Sequence, residues 1–254
     1  MSSKLSCMGI VQARMGSTRL PGKVLLDLGG KPMIRRLLDR LKHSEELEDI
    51  VVATTINERD DELEDYLAKQ GVTCFRGDEN DVLSRFHSVA KIYSPDIIVR
   101  ITADDPLKDH RLIDRGVRLM QTGASIDYVS NTLEPTWPEG LDVEVIRYEA
   151  LRKAHEEATL VSEREHVTPY IWKNNNLFNC HNFKWRRNLS HWRWTVDKPA
   201  DLELMRRIFC DDAYRSSLSY ETIVEWMDER QEMLTINSGT IRNEGYLRSV
   251  HSEV

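Results

Sequence analysis

The stretch VQARMGSTRLPGKVLLDLGGKPMI, Val11 to Ile34, decides how this chain is read. It leaves an apolar run, CMGIVQ (7–12), and passes at once into Gly16, Ser17 and Thr18, with Arg14, Arg19 and Lys23 around them. Small residues behind a strand present backbone N–H groups to an oxygen-rich ligand, and three cations gather at the same place. Two common phosphate loops do not fit. The Walker A pattern needs four residues between its glycines and a hydroxyl after its lysine. Here five residues separate Gly16 from Gly22, and Val24 follows Lys23. The dinucleotide triplet GxGxxG is absent as well. What remains is an anion-binding loop after the first strand of an open sheet, where ligands lie beyond the carboxyl ends of the strands.

Working outward, DIVVATT (49–55) and DIIVRIT (96–102) also lack polar alternation, as strands buried on both faces do. Helical patterns lie between them at 31–44, 58–71 and 79–94. In the first, Met33, Ile34, Leu37, Leu38 and Leu41 form one apolar face, and Gly71 is suited to end the second. Strand–helix–strand repetition predicts right-handed crossovers and a mostly parallel sheet. Beyond residue 124, strands are expected at 126–131, 141–148, 177–185 and 191–197. Helices are expected at 148–158, 162–174, 198–209 and 219–234. This reads as one α/β domain over residues 1–235, with 131–190 a β-rich insertion or dimerisation region and 236–254 a polar, loosely ordered tail.

Composition narrows the class. The chain has 254 residues, 40% of them hydrophobic, enough to bury a sizeable core. A net charge of −7 argues against sequence-independent binding to nucleic acid, which needs a positive field. No apolar run approaches the ~20 residues that span a bilayer. The first residues carry no cleavable signal pattern. Cys7, Cys74, Cys180 and Cys210 are widely spaced, which suits reduced thiols and a cytoplasmic location. The one basic cluster, KWRRNLSHWRW (184–194), is read as sheet residues whose arginines face an anionic substrate or a partner subunit.

A second constellation is RITADDPLKD (100–109), which sets Asp104 and Asp105 at the end of a buried strand. Asp197 follows another β-rich run and precedes a helix that opens with Pro199. Magnesium favours carboxylates combined with substrate phosphates. The plainer alternatives are a turn before Pro106 and a helix-capping aspartate, with no ligand shared between them.

With these motifs in view, ARMGSTRLPGKVLLDLGGKPMI resembles the opening signature of cytidylyltransferases that activate sugar acids, above all the spore-coat-polysaccharide type. RGDENDVLSRF, RITADDPLKD, PEGLDVEVI, EREHVTPYI and WTVDKPADLEL are similar, in order, to further motifs of that type, so the resemblance spans about residues 8 to 210. It implies a nucleotide-diphospho-sugar transferase-like three-layer fold around a mostly parallel sheet. It also implies magnesium-dependent transfer of CMP from CTP to a sugar-acid-like acceptor in surface polysaccharide or glycoconjugate synthesis, with release of pyrophosphate. Carried over by motif, Arg14, Ser17 and Lys23 hold the triphosphate beside Thr18. Ala13 and the segment bearing Arg76, Asp81 and Arg85 hold base and ribose, and Asp104 and Asp197 bind Mg2+. Arg14, Lys23 and Asp104 would be catalytic.

Two positions depart from the family pattern. Ala103 stands where glycine is usual, and Asp105 where a small residue is usual, which leaves the role of Asp105 open. The acceptor falls to the later half of the chain. Arg164, Arg186, Arg187 and Arg193 can pair with a carboxylate or phosphate. Asp142 and Glu144 either hydrogen-bond sugar hydroxyls or alternate outward on a strand. His166 is the one tempting protein base, although a lone helical histidine more often serves structure. Trp137, Trp192 and Trp194 are assigned to a sugar site or, with slight preference, to a dimer interface, and a homodimer is expected by analogy. The partners expected are CTP and a small anionic acceptor. Alternatives are another nucleotide, a phosphorylated non-sugar acceptor, or a non-catalytic nucleotide-binding protein of the same fold.

Overall fold

The computed structural model describes residues 5–123, 125–212, 214 and 218–253. The first half builds β1 (Cys7–Gln12), α1 (Met33–Leu41), β2 (Asp49–Thr55), α2 (Asp61–Lys69), β3 (Thr73–Gly77), α3 (Val82–Tyr93), β4 (Ile97–Thr102) and α4 (His110–Thr122). The second half adds β5 (Tyr128–Ser130), β6 (Glu144–Arg147), α5 (Tyr148–Glu157), α6 (Val161–His166), α7 (Pro169–Lys173), β7 (Cys180–Asn182), α8 (Pro199–Cys210), α9 (Tyr220–Asp228) and α10 (Glu244–His251).

All seven strands form one sheet in the order β3-β2-β1-β4-β6-β5-β7. β1 is parallel to β2 and β4, while β6 runs antiparallel to both β4 and β5. Successive residues of each strand feed opposite cores. Cys7 and Val11 of β1, with Ile97, Val99 and Ile101 of β4, pack on one face against α1, α4, α8 and α9. Met8, Ile10 and Ile98 pack on the other against α3, α5 and α7. That double burial is why these strands read as continuous apolar runs, and each fully buried Ile or Val contributes about 1.5–3 kcal/mol. The result is the expected three-layer α/β fold. Chain direction reverses its lateral progress at β1, where β2 leads one way and β4 the other. Ligands collect at such a switch point.

Several expectations need correction. β3 lies at the sheet edge with no fully buried residue, so no apolar run announced it. α4 was not read either. The 191–197 run is not a strand: it meets Glu139 through a single bridge, with the Trp194 N–H donating to the Glu139 carbonyl at 2.7 Å. Gly140 permits this approach, because a Cβ there would stand 2.7 Å from the Trp194 carbonyl carbon. Of 177–185 only Cys180–Asn182 is strand, and 162–174 divides into two short helices. Within the 131–190 region, two strands, β6 and β7, join the common sheet. Trp137 and Trp194 lie in the core, as does nearly all of Trp192, which leaves them unable to form an interface. The polar tail carries α10, which packs on α6.

Candidate active site

The carboxyl ends of β1 and β4 floor a cleft of about 380 Å³. One rim is the 12–24 loop, held by its backbone. The Ala13 N–H donates to the Ala53 carbonyl, and the Met15 N–H to Asp60 Oδ1 at 2.6 Å, Asp60 being wholly buried. The Ser17 hydroxyl accepts from the Leu20 N–H, and the Gly22 N–H donates to the Met15 carbonyl. Gly22 takes a left-handed conformation (φ +68°), a turn that glycine adopts without strain, and so aims Lys23 inward.

Lys23 is the centre of the site. Its ammonium, on a residue only 8% exposed, donates at 2.8 Å to Asp104 Oδ2, to Asp197 Oδ1 and to the Val196 carbonyl. Burial alone would lower its pKa, but the two carboxylates outweigh that and raise it. The segments bearing them are tied directly, since the Val196 N–H donates to the Asp104 carbonyl at 2.8 Å.

Asp197 is the most heavily braced group in the cleft. Besides Lys23 it meets Arg19 at 2.8 Å and Arg193 at 2.7 Å. Burial opposes its ionisation, but Lys23, Arg19 and Arg193 hold its carboxyl far below the usual range. Arg193 also grips Glu139 at 2.5 Å and Asp201 at 3.1 Å. Asp201, in the first turn of α8, accepts from the Asp197 and Lys198 N–H groups and so fixes the backbone that carries Asp197.

The residues suit magnesium. Two carboxylate oxygens and a carbonyl already converge on one cationic atom, a hard-oxygen set. No group of three or more His, Cys, Asp or Glu side chains gathers for a metal among the described residues. Magnesium commonly takes just one or two carboxylates and completes its shell with phosphates and waters.

Of the residues singled out in the sequence, Ala13, Arg14, Ser17, Thr18, Lys23, Arg85, Asp104, His166 and Asp197 all line this cleft. Others do not, and their partners explain why. Arg76 donates to the Thr55 and Asn57 carbonyls and pairs with Asp61 and Glu64, which ties down the edge of the sheet. Asp81 accepts from the Ser84 N–H at the start of α3 and is clasped by Arg164. Asp142 holds Arg242, in the lead-in to α10. Glu144 is buried against Arg100, the Tyr128 hydroxyl and the Thr168 hydroxyl. Arg193 is consumed by its three carboxylates. Asp105, whose role was open, is buried and accepts from Lys108 and Thr102. Burial would raise its pKa, but Lys108 holds it down.

The sequence reading missed Arg100, Glu139, Asp201 and all of α10. Arg100 breaks the apolar run of β4 at its last turn before the cleft, a signal that was available. His166 faces the cleft with its Nε2 3.0 Å from the Ser249 hydroxyl of α10. Burial, with Arg100 nearby, lowers its pKa to about 4, so the ring is neutral at pH 7. Arg85 is 3% exposed on the floor, donates to the Ala53 carbonyl, and leaves its Nε without a hydrogen-bond partner. Burial and Arg14 lower its pKa to about 10.

This geometry agrees with the comparisons to known proteins. The profile of the cytidylyltransferase family matches residues 8–236. The chain belongs to the cytidylyltransferase family. Spore coat polysaccharide biosynthesis protein SpsF of Bacillus subtilis is 32% identical over 234 residues, 89% of this chain and 95% of that protein. The solved structure of a cytidylyltransferase from Leptospira borgpetersenii superposes with a TM-score of 0.88 at 33% identity, covering 94% of this chain and all of that one. A CMP:2-keto-3-deoxy-manno-octonic acid synthetase superposes with a TM-score of 0.64 at 20% identity over 80% of this chain and 97% of its own, a likeness of fold. This cytidylyltransferase is accordingly a nucleotidyltransferase enzyme, with the 12–24 loop, Asp104 and Asp197 around one cleft. No helix among the described residues is long and apolar enough to cross a membrane.

Proposed function

We propose that this cytidylyltransferase uses magnesium to transfer CMP from CTP to a sugar-acid-like acceptor, with release of pyrophosphate, in surface polysaccharide or glycoconjugate biosynthesis. The observation that carries the reading is the meeting of Lys23 with Asp104 and Asp197 at the end of a cationic loop. A relative named for spore coat polysaccharide synthesis and a like-folded synthetase solved with CTP support the choice of substrates. The proposal includes a cytoplasmic homodimer.

In-line attack on the α-phosphorus requires positioning and charge stabilisation more than covalent help from the protein. Arg14, Arg19 and Lys23 would bind the phosphates and neutralise the departing pyrophosphate. Arg85, a buried guanidinium with no carboxylate in ion-pair contact among the described residues, would meet the nucleotide at the floor. Magnesium, held by Asp104 and Asp197, would supply Lewis-acid stabilisation of phosphate oxygens. With the pyrophosphate on the loop, the acceptor would lie across the cleft, where α6 and α10 contribute Glu165, His166 and Ser249 to its lining. There the neutral His166 ring can accept a hydrogen bond from an acceptor hydroxyl. The test is pyrophosphate release with CTP, ATP, GTP or UTP against a panel of 2-keto sugar acids and phosphorylated small molecules. Release with CTP and one sugar acid supports the reading. Release with a different nucleotide, or with phosphorylated acceptors alone, replaces it.

A further inference from the structure

Lys23 does more than line the phosphate loop. Its ammonium sits between Asp104 and Asp197 and touches both, plus the Val196 carbonyl, at 2.8 Å. Those are the oxygens that suit a divalent cation. A single positive atom therefore already occupies the point between the two carboxylates, and a second cation cannot share oxygens 2.8 Å from an ammonium without strong repulsion. Arg19 and Arg193 lie on the same Asp197 carboxylate, so Asp197 already meets three cations before a metal arrives. We infer that Lys23 is a resident cation that keeps divalent metal off the Asp104–Asp197 pair until a nucleotide draws its ammonium away. This rests on the reading of Asp104 and Asp197 as the metal pair.

The arrangement has a consequence for binding order. A triphosphate brings about four negative charges to the loop, a stronger attraction for Lys23 than two carboxylates, of which Asp197 is already shared with Arg19 and Arg193. Once the ammonium turns to the phosphates, the carboxylate oxygens face a metal that the phosphates themselves help to hold. Nucleotide and metal then enter with positive coupling, and metal alone binds poorly. Arg14 and Arg19 remain on the loop side, so removing Lys23 leaves a cationic cradle for phosphate while it frees the carboxylates.

The experiment is Mn2+ titration of the full chain followed by electron paramagnetic resonance, with and without CTP. It uses the wild type, Lys23→Gln, the near-isosteric Lys23→Met, Asp104→Asn and the Lys23→Gln/Asp104→Asn double variant. Thermal melts confirm that each is folded, and either Lys23 variant suffices. Without nucleotide, Lys23→Gln and Lys23→Met should bind Mn2+ about tenfold or more tighter than the wild type, since a competing bound charge has gone. The gain should vanish in the double variant, and CTP should tighten wild-type Mn2+ binding by a similar factor. Equal nucleotide-free Mn2+ affinity in the wild type and the Lys23 variants, with CTP-dependent Mn2+ binding that Asp104→Asn abolishes, would overturn the inference and leave the functional reading standing. Failure of the wild type to bind CTP, or Mn2+ binding indifferent to Asp104 under every condition, would overturn both.

Discussion

Replacing Arg193 with methionine removes the one cation that ties Asp197 to the α8 start and to the Glu139 segment. The guanidinium is 6% exposed and reaches Glu139, Asp197 and Asp201 at 2.5, 2.7 and 3.1 Å. Asp197 keeps Lys23 and Arg19, and Asp201 keeps the Asn237 amide and two backbone N–H groups. Among the described residues, Glu139 keeps the Asn243 N–H as its hydrogen-bond donor and the charge of nearby Arg242. Breaking a buried pair on one side costs about 3–5 kcal/mol. Against a typical total of about 5–15 kcal/mol, the variant should fold but melt early. Arg193→Lys retains the charge and one or two of the bonds, so it should lose about 1.5–3 kcal/mol. The loss should also depend on pH. Burial already raises the Glu139 carboxyl pKa although Arg193 opposes it, and without Arg193 it rises further. A carboxyl whose folded pKa exceeds its unfolded value loses stability as pH climbs through the folded pKa. The deficit of Arg193→Met should thus be greater at pH 8 than at pH 5. Urea unfolding followed by tryptophan fluorescence reads this directly, since Trp192 and Trp194 flank the residue. A deficit below about 1 kcal/mol at pH 8, or one that is larger at pH 5, would refute the reasoning.

Three further outcomes follow from the same geometry. Lys23→Ala should reduce kcat for pyrophosphate release by about 10²–10³-fold, as for loss of one preorganised donor, and a change of only a few fold would remove Lys23 from the phosphates. Asp105→Asn should destabilise the fold by about 3–5 kcal/mol, because it strips buried Lys108 of its carboxylate, yet leave CTP-dependent Mn2+ binding unchanged; weakened metal binding in the folded variant would place Asp105 in the metal site. His166, with its folded pKa lowered to about 4, takes up its proton in the unfolded state first, so it lowers stability as pH falls from about 6.5 towards 4. His166→Gln should flatten that part of the stability profile, and an unchanged slope between pH 7 and 5 would contradict the burial of the ring.

What could be read from the sequence followed burial. β1 and β2 show their full lengths as apolar runs because both faces are covered, and the loop between β1 and α1 carries its glycine and its three cations openly. Lys23, Asp104 and Asp197 were legible as chemistry, but not their contact, which depends on the Val196–Asp104 backbone bond across 92 residues of chain. β3 escaped notice because an edge strand needs no apolar run. The irregular 191–197 segment mimicked a strand because it buries both of its faces, Trp192 and Trp194 beside Arg193 and Thr195. The charged residues assigned to the acceptor share a feature that the sequence did not display. Arg164, Asp142, Glu144 and Arg193 each have an internal partner of opposite charge, which composition and spacing do not reveal. α10 was taken for a loose tail because it is polar almost all round; it docks through Glu244 on Lys198 and Arg19 and through Ser249 on His166 and Glu165.

The most direct test of the account is calorimetric titration of CTP, ATP, GTP and UTP into the full chain with magnesium, repeated on Asp104→Asn. The account predicts that CTP binds at least tenfold tighter than the other three and that Asp104→Asn loses the magnesium-dependent part of that affinity. Absence of any nucleotide binding, or CTP affinity that neither magnesium nor Asp104 alters, would contradict it.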